Sequence, residues 1–123
     1  MILLKNEIMY NDIIYLLKFN HINLLKNMFI ELIIIYPFKK SREKIINLLK
    51  SQKNQLLLSG KCFEYLLNED TYSDKIICII KWQSKDQMKN AIGNKDHKKN
   101  LKAMVNLQKF PSEVYHLNEI EES

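Results

Sequence analysis

The sequence predicts one α+β domain in which strands and helices follow in the order β-α-β-β-α-β, the split β-α-β arrangement. Residues 29–36 (FIELIIIY) form a β-branched apolar run. Two further strand-like runs, 62–67 (CFEYLL) and 75–82 (KIICIIKW), are joined by a polar, turn-rich segment and favour an antiparallel hairpin. Between the first run and the hairpin, and again after the hairpin, apolar residues recur at helical spacing.

The chain length and composition are those of one folded domain. With 123 residues the chain can bury one core, and 46% hydrophobic with 27% charged residues excludes a wholly disordered polymer. We divide the chain into a helical extension (1–27), a folded domain (28–120) and an acidic tail (121–123). No apolar run in the extension reaches the roughly 18 residues of a membrane span, so we expect no membrane partner.

The first strand and helix have clear end signals. Pro37 ends the first strand, which is apolar on both faces and therefore needs cover on each side. Ser41 is the predicted helix N-cap, and Ser59-Gly60 ends the helical pattern. The apolar positions of this helix are Ile45, Ile46, Leu48, Leu49, Leu56 and Leu57.

The second half of the chain supplies the other elements. In the run 75–82, Ile76, Cys78, Ile80 and Trp82 should point one way, with Ile77 and Ile79 pointing the other. Ser84 with Gln87 predicts a capping box for a short helix ending near Gly93. Asn94 should cap a second helical stretch to about residue 107, and a short strand, 114–117, should follow Pro111.

Charge and cysteine content limit the partners. The net charge is +5, but Arg42 is the only arginine and no aromatic RNA-binding motif is present, which disfavours nucleic acid. Cys62 and Cys78 show neither CxxC nor zinc spacing, and no secretory leader is evident. We expect two reduced thiols and a cytoplasmic protein. Because the helices can cover only one apolar sheet face, we also expect a homodimer formed sheet to sheet.

Several short motifs carry a family resemblance. They are 59–65 (SGKCFEY), 81–87 (KWQSKDQ), 94–97 (NKDH) and 111–115 (PSEVY). Together they resemble the antibiotic biosynthesis monooxygenase domain, over about three quarters of the chain. The resemblance implies a ferredoxin-like domain forming a dimeric α+β barrel. Its members include cofactor-free oxidases of polycyclic phenols, haem-degrading enzymes and proteins of no known activity, so fold alone does not fix function.

The haem-degrading branch is disfavoured by three positions. Ala91 stands where that branch has a second tryptophan, Leu101 falls near its histidine position, and the first strand carries Glu31 rather than asparagine. Many other members have a histidine at the position of Ala91, so one proton-transfer group is also missing here.

Six residues are the candidate site. Glu31 and Glu64 are carboxylates within apolar strands; each could face the barrel cavity as a catalytic base, pair with a lysine across the dimer, or lie at an exposed edge. Trp82, Tyr65, His97 and Met88 are the candidate substrate-binding residues, although packing is the commoner role for each. For Trp82 we expect a core position with its indole N–H on a backbone carbonyl. For His97 we expect a lysine-rich helix face that keeps it neutral.

The leading hypothesis is a monooxygenase that binds an apolar or aromatic small molecule and oxidises it with dioxygen. Clustered ligands and a phosphate-cradling glycine loop are missing from the sequence, so we expect no metal, flavin or haem cofactor. The alternative is a non-catalytic small-molecule-binding or dimerisation module with the same fold.

Overall fold

The computed structural model describes residues 29–118 and 120. It contains β1 (Phe29–Pro37), α1 (Arg42–Leu58), β2 (Cys62–Glu69), β3 (Ile76–Trp82), α2 (Lys85–Ile92), α3 (Lys95–Val105) and β4 (Gln108–Leu117), with a short 3-10 turn at Lys39–Ser41. The predicted extension, 1–27, and the acidic tail, 121–123, lie outside the described residues.

The four strands form one antiparallel sheet in the order β2-β3-β1-β4. The first and third strands of the chain are therefore central, and β2 and β4 are its edges. This arrangement is the ferredoxin-like split β-α-β fold, so the predicted α+β class is confirmed.

Most of the predicted helix caps are confirmed. Ser84 accepts a hydrogen bond from the Gln87 amide, and Asn94 accepts one from the Asp96 amide, so both helices of the second half have side-chain caps. Gly60 adopts φ +68°, and the amides of Gly60 and Lys61 bond back to α1 carbonyls, which ends that helix. Ser41 occupies the N-cap of α1 but makes no side-chain cap bond.

The last strand is longer than expected. It begins at Gln108 rather than at residue 114, and it contains Pro111. Proline cannot donate to a neighbouring strand, but β4 is an edge that pairs only with β1. The proline therefore does not break it.

The sheet has two faces of different character. The face that we call the helix-side face carries Trp82, Ile80, Cys78 and Ile76 of β3, all buried as the alternation predicted. Opposite them in register lie Phe29, Glu31, Ile33 and Ile35 of β1. Two apolar clusters under the helices form the core on this side.

The other face, which we call the open face, is also apolar. It is built by Ile30, Leu32 and Ile34 of β1, Ile77 and Ile79 of β3, Leu66 of β2, and Tyr115 and Leu117 of β4. Leu66, Tyr115 and Leu117 are 36%, 46% and 42% exposed, and the five aliphatic residues of β1 and β3 are half-buried. A continuous apolar sheet surface of this kind is typical of an interface.

Candidate functional site

Three of the predicted binding residues lie in one cluster on the helix-side face. Trp82, Tyr65 and Met88 are 0%, 1% and 4% exposed. They pack with Leu56, Cys62, Ile80 and Ala91. Trp82 ends β3, Tyr65 lies on the adjacent β2, and Met88 comes down from α2. The structure therefore brings these three residues together.

A β-bulge decides which residue of β2 joins this cluster. Cys62 pairs with Trp82 and Glu64 pairs with Lys81, so Phe63 is an extra residue in the ladder. The bulge reverses the alternation after Cys62, placing Tyr65 on the helix-side face and Glu64 on the open face. There the Glu64 carboxylate lies 2.9 Å from the Lys81 ammonium of the same chain. The structure does not bring Glu64 together with the other candidates.

The indole N–H of Trp82 differs from the expectation. A backbone carbonyl acceptor was expected, but the indole nitrogen is buried and has no hydrogen-bond partner among residues 29–118 and 120. A buried donor without an acceptor costs about 1–3 kcal/mol. Within the described residues, Trp82 Nε1 is thus a buried hydrogen-bond donor without an acceptor.

Tyr65 is linked to His97 through a residue that the sequence analysis did not single out. The Tyr65 hydroxyl donates to Gln52 Oε1 at 2.7 Å, and Gln52 Nε2 lies 2.5 Å from His97 Nδ1. Gln52 itself is buried within α1. The fourth predicted binding residue, His97, is therefore connected to the cluster by a hydrogen-bonded chain.

The protonation of this chain follows from burial. Burial, and secondarily the neighbouring Cys78 thiol, raises the pKa of Tyr65 well above its usual value, so the phenol remains a donor. Burial lowers the pKa of His97, which favours the neutral imidazole. A neutral histidine was expected, but burial rather than the neighbouring lysines is the cause.

Glu31 lies on the same face, at the centre of the sheet. It pairs in register with Ile80, which in turn pairs with Tyr65, so Glu31 and Tyr65 are two strand spacings apart, roughly 10 Å. Its side chain is buried, and one carboxylate oxygen lies 3.3 Å from His116 Nε2 on the edge strand. Glu31 is the carboxylate that shares a face with Trp82.

Two other tyrosines are placed away from this cluster. Tyr36 and Tyr115 lie on the open face, and both hydroxyls donate to Glu113. They take no part in the helix-side cluster.

A small polar pocket lies beside the cluster. It has a volume of about 90 Å³ and is bordered by the end of α1, by α2 and by the start of α3. Leu56 and Ala91 belong to both the pocket wall and the Trp82 cluster, so the pocket and the cluster are in direct contact. The remaining lining residues are polar: Gln52, Gln55, Ser59, Lys61, Asn94, His97 and Asn100.

Two classes of feature are absent from the described part of the chain. In residues 29–118 and 120, no group of three or more His, Cys, Asp or Glu side chains is arranged to hold a metal ion. In the same residues, no helix combines the length and the apolar character needed to cross a membrane.

Solved structures with the same architecture identify the fold. A conserved protein from Methanosarcina mazei superposes with a TM-score of 0.75 at 11% identity, covering 79% of this chain and 97% of that one. A protein from Caulobacter crescentus described as a putative antibiotic biosynthesis monooxygenase gives 0.72 at 15% identity, covering 83% and 99%. The chain has the fold of the antibiotic biosynthesis monooxygenases.

The antibiotic biosynthesis monooxygenase fold is also that of a cofactor-independent oxygenase from Streptomyces nogalater, with a TM-score of 0.68 at 10% identity, covering 78% of this chain and 96% of that one. Searches with family models and against curated protein sequences give no match. At these identities the similarity defines the architecture alone, because proteins of one fold can carry different chemistry.

Proposed function

We propose that this chain is a homodimeric, cofactor-independent monooxygenase that binds an apolar or aromatic small molecule on the helix-side face, beside Trp82. The observation that carries the proposal is the buried Trp82 indole N–H without an acceptor among the described residues. A phenol or carbonyl oxygen on an aromatic ligand would supply that acceptor, and the likeness to oxygenase structures supports the same reading.

The surroundings of Trp82 suit an aromatic ligand. Met88 is flexible and polarisable, so it can move to admit a ring and then pack against it. Tyr65 supplies an aromatic wall. The hydroxyl of Tyr65 is held by Gln52, which fixes the orientation of this ring.

The proposed reaction uses a proton acceptor and a water-poor site rather than a bound cofactor. Glu31 is the proposed base, because it is a buried carboxylate on the same face as Trp82. It removes a proton from an electron-rich phenolic substrate, whose anion then reduces dioxygen. One oxygen atom becomes a carbonyl on a substrate methylene carbon, and the other leaves as water with the two hydrogens of that carbon. The protein supplies orientation and exclusion of water.

The proposed dimer uses the open face. Its aliphatic residues are central in the sheet and only half-buried in the monomer, so pairing with a second copy would complete their burial. Glu64 and Lys81, which are paired on this face, would lie within or beside that interface.

The test combines binding and turnover. Polycyclic phenols should quench Trp82 fluorescence on binding, and oxygen consumption with carbonyl formation should follow in protein stripped of metals. Glu31→Gln should abolish turnover while retaining binding, and Trp82→Phe should weaken binding by about tenfold, the equivalent of one hydrogen bond. Tyr72→Phe, in the exposed hairpin loop, is the matched control.

Two results would contradict the proposal. One is phenol binding that neither quenches Trp82 nor weakens in Trp82→Phe. The other is turnover that persists in Glu31→Gln.

A second candidate is a non-catalytic binding module of the same fold. It is favoured by the engagement of the nearby polar groups with one another: Glu31 with His116, and Tyr65 with His97 through Gln52. Phenol binding without oxygen consumption, under the same conditions, would select this candidate.

A further inference from the structure

We propose that the polar pocket between α1 and α3 is a binding site for a small organic carboxylate, separate from the aromatic site at Trp82. The volume sets the size of the ligand. A protein cavity of about 150 Å³ holds one benzene molecule, so a pocket of about 90 Å³ suits an anion the size of acetate rather than a polycyclic ring.

The lining of the pocket sets the sign of the ligand's charge. No aspartate or glutamate is among the lining residues of the described chain, and Lys61 is the lining residue that carries a full positive charge. Gln55, Asn94 and Asn100 add amide donors. A single cation surrounded by neutral donors matches a monovalent carboxylate better than a phosphate dianion, which is usually held by several basic groups.

Gln52 orients the central donor. The Tyr65 hydroxyl donates to Gln52 Oε1, which turns Gln52 Nε2 towards His97 Nδ1. Because Nδ1 then accepts, the proton of the neutral imidazole must be on Nε2. Nε2 makes no hydrogen bond to any described residue, so His97 is a neutral N–H donor for an anion in the pocket. Gln52 is a positioning residue in this site, acting through His97.

Charge-matched variants test the site. Sodium acetate is titrated into ¹⁵N-labelled protein and the imidazole signals of His97 are followed. Acetate should shift these signals, and Lys61→Gln should weaken binding by about tenfold or more through loss of a charge-assisted hydrogen bond. Lys50→Gln removes the same charge from an exposed position on α1 and should leave the affinity unchanged.

The role of Gln52 has its own readout. Gln52→Leu keeps an apolar stem but removes the acceptor and donor, so the His97 ¹⁵N shifts should show a mixture of the two neutral tautomers in the free protein, and acetate affinity should fall. Lys61→Gln and its control keep the test decisive if Gln52→Leu does not fold.

The proposal is overturned by any of three results: unshifted His97 signals, equal losses in Lys61→Gln and Lys50→Gln, or binding of inorganic phosphate without binding of acetate. The titration needs neither an aromatic ligand nor oxygen turnover. Its result therefore stands whichever way the oxygenase assay comes out.

Discussion

Replacing Trp82 with phenylalanine should cost the ligand-free protein unusually little stability. Phenylalanine is roughly 40 Å³ smaller, and at ~24 cal/mol per Å³ the cavity costs about 1 kcal/mol. The lost apolar contact costs roughly another 1 kcal/mol. Against this, the substitution removes the unpartnered indole N–H, whose burial costs about 1–3 kcal/mol. The two contributions nearly cancel, so we expect a change in the free energy of unfolding of about 1 kcal/mol or less.

The assay is urea unfolding followed by far-ultraviolet circular dichroism, since the variant has lost its only tryptophan. A tryptophan with a hydrogen-bonded N–H would lose that bond as well and leave its acceptor unpaired, for a total of roughly 3–5 kcal/mol. A loss in that range would show that the indole has a protein acceptor, and would remove the observation on which the proposed function rests. Trp82→Ala is unsuitable, because its large cavity would dominate both cases.

Three further predictions concern other parts of the molecule. The proposed dimer should give twice the monomer mass in light scattering, and Ile79→Lys, on the open face, should reduce it to the monomer mass; an unchanged dimer mass would exclude this face as the interface. Burial lowers the pKa of His97 from 6.5, so the unfolded chain takes up a proton at a higher pH than the folded protein does. The free energy of unfolding should therefore fall as the pH drops through about 6.5. His97→Gln should remove this pH dependence when unfolding by urea is measured at several pH values. Burial raises the pKa of Cys78 to about 12 and also raises that of Cys62, so both thiols should react with a disulfide reagent at about pH 8 only as the protein unfolds; rapid labelling of the native protein would contradict this.

The strands and helices could be predicted from the sequence wherever a local pattern determines them. Strict alternation in β3 gave the correct buried face, and the caps at Ser84 and Asn94 depend on residues within the same turn. The predicted start of β4 was wrong. Proline is incompatible with a central strand but tolerated at an edge, and only the sheet order shows that β4, which contains Pro111, is an edge. Sequence periodicity carries no information on that order.

The site was less predictable, for two physical reasons. The face of Glu64 depends on a single-residue bulge at Phe63, and the apolar pattern of β2 does not reveal it. Gln52, in contrast, left a signal: it follows Leu49 by three residues and precedes Leu56 by four, so it is a polar side chain at a core position of α1. A polar residue in such a position needs hydrogen-bond partners, and here it has the buried Tyr65 and the half-buried His97.

The single carboxylate of β1 has a consequence for how the sheet assembles. Apart from Glu31, residues 29–35 are hydrophobic, so either set of alternate side chains could serve as the inner one. Sliding β1 by one residue against β3 and β4 would exchange the two sets with almost no change in apolar burial. It would, however, separate Glu31 from His116 and move its carboxylate to the opposite face. Glu31 thus specifies the register of the central strand. The variant Glu31→Leu would be expected to populate two registers rather than simply to unfold.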